Sequence, residues 1–141
     1  MIAIYHNPDC GTSRNTLRLI ESSGADLTVV EYLDVGWTKA QLVGLFTAAN
    51  LTPRDALRVV RSPAESLGLT DPSTTDEELL AAMVSHPVLV NRPIVCSPKG
   101  VRLCRPCERV LDLLDVPPKL PFYKDNGELL IDADGSLVKP D

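Results

Sequence analysis

Apolar positions along the chain fall into runs whose spacing changes several times. Ile2 to Tyr5 is a short apolar run that stops at "HNPDCG", where Asn, Pro, Asp and Gly all favour turns, so a strand is predicted to end there. Beyond the turn, Leu17 and Ile20 share a face at helical spacing, Thr12 or Ser13 offers a cap, and Gly24 offers a stop. Leu27 to Leu33 ("LTVVEYL") is rich in β-branched and aromatic residues and reads as a second strand. The first third is strand, helix, strand, with a right-handed crossover expected.

From 36 to 87 the pattern reads as wholly helical. Thr38 with Gln41 forms a capping-box pair, and Leu42, Leu45, Phe46 and Ala49 recur at helical spacing up to Asn50. Pro53 suits the first turn of a helix through "RDALRVVR", and Thr75 with Glu78 opens another that must end near His86, because Pro87 follows. "RPIVCSPKGVRLC" then predicts two strands, Ile94 to Ser97 and Val101 to Cys104, around a Pro-Lys-Gly turn. Pro106 starts a closing helix with Val110, Leu111 and Leu114 on one side, ended by Pro117 and Pro118.

This order, βαβ followed by ββα with a helical insertion at about 36–87, predicts an α/β fold with a thioredoxin-like mixed sheet. Residues 1–117 are expected to form its single domain. Residues 118–141 carry Asp-Asn-Gly and Asp-Gly signals around "ELLI" and "SLV", which predict a loosely packed C-terminal hairpin or tail. Pro93 precedes the third strand, where that fold usually carries a cis proline, so the Arg92–Pro93 bond is expected to be cis.

Composition narrows the class. A chain of 141 residues with 44% hydrophobic content has the size of one domain with a sizeable core. Its net charge of -5 repels nucleic acid and anionic membrane surfaces, so neither is expected as a partner, and any anionic ligand needs a local basic pocket. No apolar stretch has membrane-span length and "MIAIYHNPD" lacks the pattern of a secretion signal, so a cytoplasmic location is expected. Four cysteines, three of them bunched at 96, 104 and 107, are too few and too uneven for a disulfide scaffold.

The remaining cysteine stands alone at the first strand-to-helix turn. A helix start favours the thiolate of Cys10 through unpaired backbone N–H groups and the positive end of the dipole. The same groups bind tetrahedral oxyanions, so nucleophile and anion cradle coincide in "CGTSRN". Gly11 lets the backbone approach closely, Thr12, Ser13 and Asn15 add donors, and Arg14 adds charge. A dithiol oxidoreductase would need a second cysteine at the position of Ser13, and a cysteine phosphatase loop would need arginine where Thr16 stands. What survives is a thiolate that attacks an electrophile and is regenerated by an outside thiol.

"IYHNPDCGTSRNTL" resembles the active-site segment of the arsenate reductases that couple to glutathione and glutaredoxin, and the resemblance continues through "ALRVVRS", "HPVLVNRPIV" and "GVRLCRP". It implies that Cys10 attacks arsenate, that Arg58, Arg92 and Arg105 surround the oxyanion, and that His6 helps to hold or generate the thiolate. It further implies glutathione as co-substrate and glutaredoxin as protein partner, with no tightly bound cofactor and no metal. Two rival readings stand beside it. Cys104-Arg105-Pro106-Cys107 is a Cys-x-x-Cys at a helix start and competes for redox chemistry or, with Cys96 and a histidine, for zinc. The whole chain would otherwise serve as a non-catalytic thioredoxin-like redox sensor or regulator that binds a protein partner.

Overall fold

A computed structural model describes residues 1–138 of the chain. Strand β1 (Ile2–His6) leads through a turn to helix α1 (Gly11–Ser23), and the chain returns along β2 (Leu27–Glu31). Three helices follow, α2 (Tyr32–Val35), α3 (Lys39–Ala49) and α4 (Asp76–Ser85). Then come β3 (Ile94–Ser97), β4 (Gly100–Leu103), a 3-10 helix over Cys107–Leu113, and the short strands β5 (Phe122–Tyr123) and β6 (Leu129–Ile131). The main sheet has the order β2-β1-β3-β4. β1 runs parallel to β2 and antiparallel to β3, and β3 is antiparallel to β4, so the sheet is mixed.

Strand alternation sends neighbouring side chains to opposite faces and so builds two cores. Ile2, Ile4 and Val95 pack with Leu19 and Ile20 of α1, with Val110 and Leu113 of the 3-10 helix, and with Phe122 and Ile131 of the C-terminal strands. Tyr5 and Ile94 face the other way, toward Tyr32, Trp37, Leu42, Phe46, Leu79 and Met83. The capping boxes appear as the sequence predicts: Thr38 accepts from the Gln41 backbone N–H and Thr75 from that of Glu78, with both reciprocal bonds made. α1 ends at Gly24, whose φ of 77° is the left-handed conformation that glycine adopts at least cost.

Four local expectations are corrected. Residues 51–75 form turns, not a helix. The Thr52 and Asp55 side chains each bond the other's backbone N–H, and the Arg58 N–H bonds the Leu89 carbonyl at 2.7 Å, so this backbone is spent on local turns and a long-range bridge. Second, Tyr32 and Leu33 leave the second strand for α2, because the Tyr32 ring stacks on Trp37 at 4.9 Å in the core behind the sheet. Third, the closing helix is 3-10 in form, with its first residue at Cys107. Fourth, the residue that begins α1 as its cap is Cys10, with extended backbone (φ -103°, ψ 120°), not Thr12 or Ser13.

The C-terminal segment pairs as a hairpin, but with Phe122 opposite Ile131 and Tyr123 opposite Leu129. Phe122, Leu130 and Ile131 are buried, so it is docked on the core and not loose; residues 139–141 lie outside the described part. The Arg92–Pro93 bond is cis, and so are Arg105–Pro106 and Leu120–Pro121. Among the described residues, no helix is long and apolar enough to cross a membrane.

Candidate active site

Three separate chain segments converge on the Cys10 sulfur, and each is placed by the sheet. β1 delivers the turn 7–10, whose Cys10 N–H donates to the Asn7 carbonyl at 3.1 Å. The segment after β4 delivers Arg105, whose Nη1 donates to Cys10 Sγ at 3.4 Å and to the Arg92 carbonyl at 3.0 Å. The segment before β3 delivers Arg92 itself. Cys10 is only 8% exposed, yet guanidinium groups and a backbone N–H face its sulfur.

Electrostatics at the thiol pull in opposite directions. Burial, the largest influence, pushes the Cys10 thiol up, but hydrogen bonding from the Ser13 backbone N–H, from Arg105 and from Arg92 outweighs it and holds the thiol below its ordinary value. The Ser13 N–H faces the sulfur in the first turn of α1 without the geometry of a side-chain capping bond.

Arg92 is 7% exposed, and its buried Nε has no hydrogen-bond partner among the described residues. A buried, unpaired guanidinium donor is costly unless an anion meets it. Arg58 lies within reach of the same field: burial, then repulsion from Arg92 and Arg105, lower its pKa, while Cys10 raises it. Its Nε is bonded to the Val60 carbonyl at 2.8 Å. Three guanidinium groups that share one electrostatic field with the Cys10 thiol offer planar donors of the kind suited to bidentate contact with an oxyanion.

The other residues singled out in the sequence have different placements. His6 is buried, and its Nδ1 sits 2.6 Å from Ser13 Oγ; burial is the main reason its pKa is lowered. Ser13, fully buried, also accepts from the Asn7 N–H at 3.0 Å, so His6 meets the thiol's surroundings through Ser13. Thr12 lies in the first turn of α1, with its carbonyl taken by the Thr16 hydroxyl at 2.8 Å. A side chain at Gly11 would meet only Arg14 Nη2 at 3.6 Å, an ordinary contact, so the fold itself does not demand glycine there. Arg14 is not gathered with the other three arginines: its Nε binds Asp125 at 2.8 Å and its Nη1 the Pro8 carbonyl at 2.9 Å.

Two residues near the thiol carry no mark in the sequence. Asn7 is 2% exposed, and its Oδ1 accepts from the Asp9 N–H at 2.9 Å, shaping the turn before Cys10. Tyr32 is buried against the same site: burial raises its pKa, and Arg92, a bond with Asn7 and Arg58 lower it. An Asn before a Pro signals a turn but not its burial, and the tyrosine lies in what reads as a strand.

The rival cysteines occupy a different environment. Cys104 and Cys107 are buried in the apolar cluster beneath α1, and burial pushes them up to about 12 and about 11. Neither is a competent nucleophile near neutral pH. Cys96 is raised by burial as well. Among the described residues no group of three or more His, Cys, Asp and Glu side chains converges on one point.

A single low-pKa thiol at the first helix of a thioredoxin-like sheet, facing an arginine-lined anion pocket, defines a class of one-cysteine site distinct from the dithiol oxidoreductases. Relatives carry the same name repeatedly. The chain is 63% identical over 138 residues to "Arsenate reductase ArsI2" of Synechocystis sp., covering 98% of this chain and 99% of that protein. It is 46% identical to the arsenate reductase of Escherichia coli, with 98% of each covered. The solved arsenate reductase of Vibrio cholerae superposes with a TM-score of 0.76 at 38% identity, covering 80% of this chain and 97% of that one. The ArsC family model matches residues 5–113, and the chain belongs to the ArsC family.

Proposed function

We propose that this protein reduces arsenate to arsenite through a Cys10–arsenic adduct, with glutathione and glutaredoxin supplying the electrons. The observation that carries the reading is the lowered Cys10 thiol, 3.4 Å from Arg105 Nη1 in a pocket shared by Arg92 and Arg58. Full-length similarity to proteins named arsenate reductase supports the substrate.

The steps follow from charge. Arsenate binds as a tetrahedral anion between the guanidinium groups and the N–H groups at the start of α1. The Cys10 thiolate attacks As(V), and a protonated oxygen leaves as water while the remaining oxygens stay on the arginines. The glutathione thiol displaces a second hydroxyl, and its own proton leaves with that oxygen as water. The glutaredoxin thiolate then attacks the glutathione sulfur, forming a glutathione–glutaredoxin disulfide. The electron pair of the broken As–S bond stays on arsenic, which becomes As(III). Water cleaves the Cys10–arsenic bond, arsenite leaves and the thiol is restored. Glutathione is a co-substrate in this scheme, no tightly bound cofactor is needed, and the setting is the glutathione-rich cytoplasm. A net charge of -5 weighs against nucleic acid and anionic membrane surfaces as partners.

The test is a coupled assay containing arsenate, glutathione, glutaredoxin and an NADPH-linked regenerating system. Arsenate-dependent NADPH loss is expected, and Cys10→Ser is expected to abolish it. Turnover retained in that variant would move the chemistry to Cys104 and Cys107. No arsenate-dependent loss with the native protein would favour a redox sensor or regulator.

A further inference from the structure

The C-terminal hairpin meets Arg14 and Asn15, near the start of α1, through one residue, Asp125. Asp125 Oδ2 accepts from Arg14 Nε at 2.8 Å, its Oδ1 accepts from Asn15 Nδ2 at 3.3 Å, and its own N–H donates to Asn15 Oδ1 at 2.8 Å. Arg14 passes the contact onward, because its Nη1 donates to the Pro8 carbonyl at 2.9 Å, two residues before the thiol. An unbroken chain of hydrogen bonds therefore runs from the hairpin, across Arg14, to the turn that presents Cys10.

The Arg14 and Asp125 side chains are 45% and 31% exposed, and a pair so placed contributes little to stability. Asn15, by contrast, is 7% exposed, so one end of the clamp is fixed in the fold. Without Asp125, Arg14 would keep only its bond to the Pro8 carbonyl. The matched family segment, residues 5–113, holds Pro8, Arg14 and Asn15 but ends before the hairpin begins, so only the Asp125 side of the clamp lies beyond it.

We propose that Asp125 is a positioning residue for the thiol: through Arg14 it fixes the Pro8 carbonyl, and with it the turn that sets Cys10 against the Ser13 N–H and Arg105. Arg14 thereby becomes a strut of the turn, and the oxyanion is left to Arg58, Arg92 and Arg105. The inference rests on the proposed reaction only for its turnover readout. Its other readout, the pH dependence of Cys10 alkylation, does not require arsenate.

The variants are Asp125→Ala, Asp125→Asn, Arg14→Gln and the double variant Arg14→Gln/Asp125→Ala. With iodoacetamide, and mass spectrometry to follow Cys10, the alkylation midpoint is expected to move to higher pH in Asp125→Ala. Loss of a nearby negative charge alone would move it lower, so the direction reads placement rather than charge. In the coupled assay kcat is expected to fall about tenfold while KM for arsenate stays within about twofold, because the three pocket arginines are untouched. Arg14→Gln should show the same loss and the double variant no more, since both act on one strut. An unchanged or lowered midpoint overturns the proposal, as does additivity of the two losses. If the native protein proves inactive toward arsenate, the alkylation midpoints still decide the role of Asp125.

Discussion

Arg105 Nη1 bridges two atoms of the site, the Cys10 sulfur at 3.4 Å and the Arg92 carbonyl at 3.0 Å. One nitrogen thus favours the thiolate and ties the residue after β4 to the residue before β3. Arg105→Lys keeps the charge but loses the guanidinium nitrogen that makes both contacts. A fall in kcat/KM of about 100-fold is expected, the scale for removing one oxyanion donor, with the alkylation midpoint of Cys10 moved to higher pH. Steady-state kinetics within twofold of the native enzyme would contradict the assignment.

Ser13 Oγ serves two partners at once, His6 Nδ1 at 2.6 Å and the Asn7 N–H at 3.0 Å. Ser13→Ala strands both in a buried place, and a loss of about 2 kcal/mol in urea unfolding is expected. The Ser13 backbone N–H survives the substitution. Cys10 alkylation should therefore keep most of its low-pH reactivity, and a complete loss would mean that the hydroxyl, not the backbone, governs the sulfur.

Cys104 and Cys107 give the fold an alkaline weakness. Their thiols rise from an ordinary 9.0 to about 12 and about 11 through burial. Between pH 9 and about 11 the unfolded chain has released protons that the folded chain still holds, so stability falls as pH rises, by about 1.4 kcal/mol per pH unit for each thiol. Cys104→Ala/Cys107→Ala should flatten that slope whatever its stability at pH 7. Chemical denaturation at several values above pH 9 measures it, and an unchanged slope would assign the alkaline loss to other groups.

Phe122 anchors the C-terminal hairpin. It is 5% exposed within the cluster beneath α1, and the Arg18 guanidinium lies over its ring at 5.3 Å from the centroid. Phe122→Ala is expected to cost about 3 kcal/mol. Thermal and denaturant melts check this; a change under 1 kcal/mol would mean that the hairpin is held by its polar contacts alone.

Local signals were readable because local physics makes the structure. The "HNPDCG" turn, both capping boxes and Gly24 act within a few residues, and so did the placement of the lone thiol at a helix start. The stretch from Pro53 to Arg61 misled because its helical spacing is overridden by a bond from Arg58 N–H to Leu89, 31 positions away, and by a left-handed Arg61 (φ 56°). Tyr32 has strand propensity, but its partners are Trp37 and the Val90 carbonyl. Arg14 looked like a pocket donor because nothing near it in the chain announces Asp125, more than a hundred residues on. The pocket arginines Arg58, Arg92 and Arg105 came from resemblance, since isolated basic residues carry no periodic mark.

A sulfur atom opens α1 where serine, threonine or asparagine would begin a helix better, and it makes no capping bond of the kind their oxygens make. Cys10→Ser puts a true capping hydroxyl there, so the variant expected to lose turnover should be the hardier protein, by about 1 kcal/mol. Reactivity at this position comes at the expense of the helix's ordinary cap.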